Sequence, residues 1–133
     1  MSDDALRSVT GSVESHATPG VVVELLRDAS RIPEWAPAFA YTVTRDGEAW
    51  RATTGGSDFS FNVIVVEEAG TVDYLREIAP GLLTGAYLRA VPRAGGGAVI
   101  TMTLPVRPGV DPEEVRATLR AELLALEALA SLE

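Results

Sequence analysis

The sequence contains no lysine, no cysteine and only one histidine, His16. Without lysine the chain cannot supply the cation of a phosphate-binding loop or a Schiff base to pyridoxal phosphate. Without cysteine it has no thiol nucleophile, no disulfide framework and no thiolate ligands for structural zinc. A single histidine on the polar side of the first strand is expected to be exposed rather than catalytic. We therefore expect neither a metal site nor a cofactor.

The chain is also short of positive charge and of long apolar runs. Its eleven cations are all arginines, and nineteen acids give a net charge of −8. Such a surface is a poor match for nucleic-acid phosphates or anionic membranes. No apolar run approaches the ~20 residues of a membrane span, and the acidic start does not resemble a secretory signal. We expect a cytoplasmic protein that binds neither nucleic acid nor membrane.

The 133 residues, 47% of them apolar, suit a single domain over residues 1–133 with a core of its own. Apolar and polar residues alternate from Arg7 to Ala17, which predicts a half-buried strand. Thr18 and Pro19 then form a helix start, as capping residue and first helical residue. A second short helix should follow and be interrupted by two nearby prolines.

The middle of the chain, residues 39–106, shows turn signals at hairpin spacing. Runs rich in Val, Ile, Thr and aromatic residues lie between these signals, as strands require. Connections this short join antiparallel neighbours, so we predict a meander of about six strands. The turn signals are Asp46-Gly47, Gly55-Gly56, Ala69-Gly70, Pro80-Gly81 and Gly95-Gly96-Gly97.

The last segment predicts a long amphipathic helix. Asp111 and Pro112 are its start signal, and the helix should run to about Leu132. One face is apolar and the opposite face is acidic, as expected for a helix that lies on a sheet with its other side in water. The apolar stripe consists of Val115, Leu119, Leu123, Leu126 and Ala130.

The order strand, two short helices, six-stranded antiparallel meander and long C-terminal helix resembles the SRPBCC superfamily (START, or birch-pollen-allergen-like). The sharpest local similarity is the run Leu25-Leu26-Arg27-Asp28 leading into Pro33-Glu34-Trp35-Ala36-Pro37. Uncharacterised bacterial members of the polyketide cyclase/dehydrase type are the most similar. The resemblance implies an α+β helix-grip fold, in which a curved sheet wraps the C-terminal helix around an apolar cavity. A nuclear-transport-factor-like cone is the alternative, although such cones usually open with helices.

The resemblance also implies a partner, namely a small hydrophobic molecule that is polyketide-like or lipid-like. Members of this superfamily either carry such ligands or catalyse their cyclisation or dehydration, and some are co-chaperones or form dimers. Three functions therefore stay open: an enzyme, a carrier or sensor, and a protein-interaction module in which the acidic helix face, including Glu122 and Glu127, meets a basic partner. A homodimer is compatible with each of them.

Three polar residues are candidates for chemistry. Arg76 shares a strand face with Val72 and Tyr74, where a permanent charge needs an anion, a carboxylate or water. It would bind a ligand carboxylate or stabilise an enolate, unless the side chain extends to the surface. Tyr74 and Tyr41 would orient a ligand or donate a proton, unless each hydroxyl simply bonds a nearby carbonyl.

Larger side chains on the predicted inward faces are candidates for ligand contact, although many of them would serve equally well as core packing. Trp35 would either line the cavity mouth or plug it. The parity of strand 83–91 is open; if its bulkier face points inward, Arg89 becomes a second cavity cation, neutralised by Asp73. The candidate ligand-binding residues are Trp35, Phe39, Trp50, Phe61, Tyr87, Arg89, Met102, Leu119 and Leu123.

Overall fold

The computed structural model describes residues 7–133, which form one seven-stranded antiparallel sheet and three α-helices. The predicted element order is confirmed. The elements are β1 (Ser8–Ser15), α1 (Pro19–Arg27), α2 (Ile32–Trp35), β2 (Thr42–Asp46), β3 (Ala49–Thr53), β4 (Asp58–Val66), β5 (Thr71–Ala79), β6 (Leu82–Pro92), β7 (Ala98–Pro105) and α3 (Pro112–Ala130).

The helices begin at the residues that the sequence marks. The Thr18 hydroxyl accepts a hydrogen bond from the backbone N–H of Val21, and Pro19 is the first residue of α1. The Asp111 carboxylate accepts one from the N–H of Glu113 at 2.9 Å and caps α3. These side chains satisfy amide groups that have no partner within the first helical turn.

The sheet has the order β1-β7-β6-β5-β4-β3-β2. Strands β2 to β7 form the predicted meander, each paired with the next one along the chain. The first strand instead pairs with β7, so that Gly11 lies opposite Met102. The last helix, α3, packs mainly against this first strand.

Two glycines allow close approaches that hold this arrangement together. A Cβ atom on Gly11 would lie 2.6 Å from Cδ2 of Leu119, so α3 sits directly on the backbone of β1. Gly70 follows β4 with φ of 70°, and a Cβ there would collide with the carbonyl oxygen of Ala90. Gly70 therefore requires the absence of a side chain, whereas a Cβ on Gly11 would force the Leu119 methyl group to move.

No helix in residues 7–133 is long and apolar enough to cross a membrane.

Candidate functional site

A cavity remains between the sheet and the helices, in two adjoining chambers. The outer chamber has a volume of about 340 Å³ and is bordered by exposed residues, among them Ser57 and Arg107. The inner chamber has a volume of about 200 Å³ and lies under α2 and α3, between Trp35 and Met102. The residues that line both chambers are Ala38, Phe39, Tyr74, Ala86 and Leu104.

Aromatic rings form one wall of this cavity. The Phe39 ring meets Phe59 and Phe61 edge to face, with ring centroids 5.6 Å apart in each pair. Phe61 also meets Tyr74 edge to face at 6.1 Å. Edge-to-face contacts fix each ring against its neighbours and leave apolar surface facing the space between sheet and helix.

Arg76 is the charged residue of the outer chamber that the sequence predicts. Its guanidinium carbon lies 4.2 Å from the centroid of the Phe59 ring, and the side chain is half-buried. Arg107 lines the same chamber, and neither arginine forms an ion pair with any acid in residues 7–133. No described Asp or Glu lines the chamber either, so it is positive in a chain whose net charge is −8.

Tyr74 contributes its ring to the cavity but uses its hydroxyl elsewhere. The hydroxyl donates a 2.7 Å hydrogen bond to the backbone carbonyl of Leu26 at the end of α1. Burial raises the pKa of this phenol above its ordinary value. Of the two interpretations open for this tyrosine, the structure shows the bond to a nearby carbonyl.

Two polar side chains, Trp35 and Glu122, are buried beside the inner chamber. Trp35 is 3% exposed, and its indole Nε1 has no hydrogen-bond partner in residues 7–133. Glu122 is 8% exposed and lines the same chamber, beside Thr118 on α3. Burial, with no neighbouring charge or hydrogen bond contributing, raises the pKa of the Glu122 carboxyl to about 7.

The prediction that Leu119 and Leu123 face the cavity is wrong. Both leucines are buried against β1, over Gly11, and the cavity is lined instead by Thr118 and Glu122, each one residue earlier along the helix. One residue corresponds to a rotation of about 100° around the helix axis. A signal for Glu122 exists in the sequence, because it lies three residues after Leu119 and four before the buried Leu126.

Tyr41 also lies outside the cavity. Its side chain is 64% exposed and lines neither chamber, so the inward orientation predicted for it is wrong. The reason is local, since β2 begins only at Thr42 and the residues between α2 and that strand form a turn. The ring contacts the position of Gly55, where a Cβ would be 3.4 Å away.

The bulkier face of β6 points outward. Leu88 and Ala90 are buried, whereas Tyr87 is 40% exposed. Helix α1 packs against β6, on the face that carries Leu88 and Ala90. The ligand contacts predicted for Tyr87 and Arg89 are therefore wrong. Arg89 borders a separate depression beside α1, and its Nε donates to the carbonyl oxygen of Ala69 rather than pairing with Asp73.

Trp50 is half-buried and lines neither chamber. The guanidinium carbon of Arg45 lies 4.8 Å from its ring centroid, so a cation covers the ring that was predicted to contact a ligand. The predicted residues that do line the cavity, in one chamber or both, are Trp35, Phe39, Phe61, Tyr74, Arg76 and Met102.

Solved structures share this fold. The START superfamily protein from Mycobacterium smegmatis is 16% identical, covers 94% of this chain and 97% of its own, and has a TM-score of 0.69. The Zhui aromatase/cyclase from Streptomyces sp. R1128 is 19% identical, with 93% of each chain covered and a TM-score of 0.62. The Aha1 dimer from Colwellia psychrerythraea is 13% identical, covers 92% and 97%, and has a TM-score of 0.64.

These neighbours confirm the helix-grip fold that the sequence predicts. Comparison with curated proteins finds no significant relative. The family model described as "Polyketide cyclase / dehydrase and lipid transport" matches residues 7–131, which is nearly the whole chain. The chain therefore belongs to the polyketide cyclase/dehydrase and lipid transport family.

Proposed function

We propose that the protein binds a small, mostly apolar molecule that carries an anionic group, with the apolar part between the sheet and α3 and the anion at Arg76. Membership of a family of polyketide cyclases, dehydrases and lipid transporters supports a polyketide-like or lipid-like ligand. The observation that carries the proposal is the position of Arg76, half-buried on an aromatic ring at the cavity and without an ion pair in residues 7–133.

The energetics favour an anion at this position. A half-buried guanidinium loses part of its solvation, and an anion or hydrogen-bond acceptors can replace what is lost. The protein supplies a cation–π contact to Phe59 at 4.2 Å, which leaves the guanidinium N–H groups free to donate. A carboxylate would accept two of them side by side, the strongest arrangement available to arginine. Arg107, at the same chamber, adds attraction for the same charge.

Two uses of the cavity are compatible with this family. An enzyme would fold a polyketide-like chain into a reactive conformer by enclosure and would catalyse its cyclisation or dehydration, with Arg76 stabilising an enolate. A carrier or sensor would hold a lipid-like molecule in the same place without any proton transfer. Turnover of a linear polyketide that is lost in Arg76→Gln distinguishes the enzyme from the carrier.

The third function, a protein-interaction module, depends on an acidic face of α3. That face is smaller than the sequence predicts. Glu122 is buried at the inner chamber. Glu127 accepts hydrogen bonds from the hydroxyls of Ser15 and Ser131, at 3.1 and 2.6 Å. The homodimer stays a prediction, which the molar mass in solution tests.

Binding of 2-naphthoic acid, followed by its fluorescence, tests the proposed function. We expect Arg76→Gln to weaken binding by about tenfold or more, the range of a charge-assisted hydrogen bond. The neutral probe 2-methylnaphthalene should bind wild type and variant alike.

Arg45→Gln is the matched control for this experiment. It removes an arginine that also stacks on an aromatic ring, at 4.8 Å, but that borders neither chamber. An equal loss of naphthoate affinity in Arg45→Gln and Arg76→Gln would mean that overall charge, and not the cavity, attracts the anion. That result, or no binding at all, contradicts the proposal.

A further inference from the structure

The face of the sheet that points away from the helices carries an exposed apolar patch. At its centre, Ile64 lies opposite Asp73 on β5, which lies opposite Tyr87 on β6. Ile64 is 46% exposed and Tyr87 is 40% exposed, although both present large apolar surfaces. We call this surface the sheet patch; around Asp73 and Arg89 it comprises Ile64, Val66, Leu75, Leu83 and Tyr87.

A glycine makes the sheet patch continuous across neighbouring strands. Gly85 lies opposite Leu75, and a Cβ on Gly85 would be 2.9 Å from Cδ2 of this leucine. The leucine side chain therefore extends over β6 and covers its backbone. Contiguous exposed apolar surface of this kind is typical of a site that another molecule covers.

The sheet patch is neutral, whereas the chain has a net charge of −8. On the outward positions of residues 62–66, 71–75 and 83–89, the charged residues are Asp73 and Arg89 alone. The helices on the other side of the sheet carry exposed acids, among them Glu34, Glu113 and Glu114. Two copies of the chain repel each other through such acids, so they approach most favourably with their sheet patches facing each other.

Neither charge of the sheet patch has an ionic partner within residues 7–133. Asp73 lies opposite Tyr87, and Arg89 follows two residues later on the same strand, a diagonal separation of about 7–8 Å. Arg89 is exposed, and its Nε donates a 3.2 Å hydrogen bond to the carbonyl oxygen of Ala69. Burial alone, with no neighbouring charge or hydrogen bond contributing, raises the pKa of the Asp73 carboxyl. This carboxylate is thus partly desolvated and lacks a counterion.

A two-fold axis supplies counterions to both charges at once. The axis lies between two facing sheets and crosses the line from Asp73 to Arg89 at its midpoint. In such an isologous contact each of the two residues meets the other in the second copy. Tyr87 lies beside the axis and meets its own copy, and the surrounding apolar side chains are buried together.

We propose that two copies of this chain form a two-fold symmetric dimer through the sheet patch, in which Asp73 of each copy pairs with the partner's Arg89 and the two Tyr87 rings meet between the ion pairs. The outward face of the five strands β1, β7, β6, β5 and β4 measures about 24 Å by about 20 Å. An interface this small is typical of weak, reversible complexes, so we expect a dissociation constant in the micromolar range.

The dimer leaves the ligand cavity free. Tyr74 and Ala86 line the chambers from the inner face of β5 and β6, whereas Asp73 and Tyr87 alternate with them on the outer face. Arg76→Gln should therefore leave the dimer unchanged. Failure of the proposed anion site and failure of the dimer are separate results.

Sedimentation equilibrium of the full chain measures the dimer directly. Between about 1 and about 300 µM protein, the molar mass should rise from 14.1 kDa towards twice that value. A mass that stays at 14.1 kDa over the whole range would overturn the proposal.

Exchange of the two charges tests the ion pairs. Asp73→Arg and Arg89→Asp should each weaken the dimer about tenfold or more, because each places like charges opposite one another. The double variant Asp73→Arg/Arg89→Asp restores opposite signs across the axis and should recover the dimer. A general charge effect predicts the contrary, since Asp73→Arg makes a chain of net charge −8 less negative and would favour association.

Matched variants on α3 make the same changes away from the sheet patch. Glu114→Arg, at an exposed acid, equals Asp73→Arg in charge and should not weaken the dimer. Ile64→Ser should weaken it several-fold, whereas Leu124→Ser, at a residue that is 50% exposed, should leave it unchanged. Equal weakening by the α3 variants, or a double charge variant that stays monomeric, would overturn the proposed interface.

Amide NMR spectra of the unmodified chain locate the interface without any variant. Dilution should move the amide resonances of Ile64, Asp73 and Tyr87 and leave that of Leu124 in place. Movement confined to the helices or to β2 and β3 would overturn the assignment of the dimer to the sheet patch.

Discussion

The two flanks of α3 differ in how they meet the sheet. On the β1 side, Leu119 and Leu123 lie directly over Gly11, and a single added Cβ would come within 2.6 Å of a leucine methyl. On the other side, Thr118 and Glu122 face a chamber of about 200 Å³. The same helix thus closes the core along one edge and leaves space along the other.

This difference shows that the cavity is produced by the choice of side chains around one helix turn and needs no gap in the backbone. Leucines over a glycine fill the space at one flank, as expected for an interior packed at crystal-like density. At the other flank, small residues such as Ala86 and Ala38 do not reach the helix, and a carboxyl stands where a leucine would be expected. The stability of the fold and the proposed ligand binding can therefore be changed separately.

The largest effect is expected on the packed flank. Leu123→Ala removes a side chain that is 2% exposed and should lower the free energy of unfolding by about 2–5 kcal/mol. Leu124→Ala, at the next position and 50% exposed, should change it by no more than about 0.5 kcal/mol. Urea denaturation followed by circular dichroism measures both values. Similar losses in the two variants would contradict the packing described for this flank.

The cavity flank should respond to pH. The pKa of Glu122 is raised from 4.5 in the unfolded chain to about 7 in the folded one, so the folded state binds more protons between these values. The stabilisation is complete below pH 4.5 and is lost as pH rises to about 7. It amounts to roughly 3 kcal/mol at most.

Urea denaturation across this pH range checks the prediction for Glu122. Glu122→Gln should remove this part of the pH dependence, whereas Glu114→Gln, at an exposed position of α3, should retain it. The difference between wild type and Glu122→Gln isolates the group from the remaining acids of a chain with net charge −8. A pH dependence that is unchanged in Glu122→Gln would mean that this carboxyl ionises freely in the folded protein.

The smallest effect on the free energy of unfolding is expected for a larger side chain that enters the cavity. Ala86 lines both chambers, so Ala86→Leu should change the free energy of unfolding by less than about 1 kcal/mol, because the added atoms enter the cavity. The same variant should weaken 2-naphthoic acid binding at least tenfold. Ala52→Leu, at a fully buried position that lines neither chamber, should cost about 1–3 kcal/mol. An equal cost in both variants would show that the chambers do not accept added atoms.

Local chemistry in the sequence was sufficient to predict the element order. Thr18 with Pro19, and Asp111 with Pro112, mark helix starts by capping and by a fixed φ angle, neither of which needs tertiary contacts. Glycines such as Gly70 adopt a positive φ that other residues avoid, so the turns can also be predicted from the sequence.

Residues of the candidate site could be predicted only where a polar or charged side chain stands on an otherwise apolar face. Arg76 could be identified because a permanent charge shares a strand face with Tyr74, whose side chain is buried. Glu122 shows the same kind of conflict, because it is an acid on the helix face that carries the buried Leu119 and Leu126. The packing of Leu119 and Leu123 over Gly11, which sets the rotation of α3, depends on tertiary contacts. The parity of β6 was equally open, because both of its faces are apolar and the packing of α1 decides between them.

The pairing of β1 with β7 also determines when the binding space can exist during synthesis. The first strand ends at Ser15 and its partner begins at Ala98, so the ribosome must make more than eighty residues between them. Contacts this distant in sequence form late, after local hairpins have closed. Until α3 emerges, the meander exposes the apolar surface that later lines the cavity, and apolar surface exposed in this way makes a nascent chain prone to aggregation.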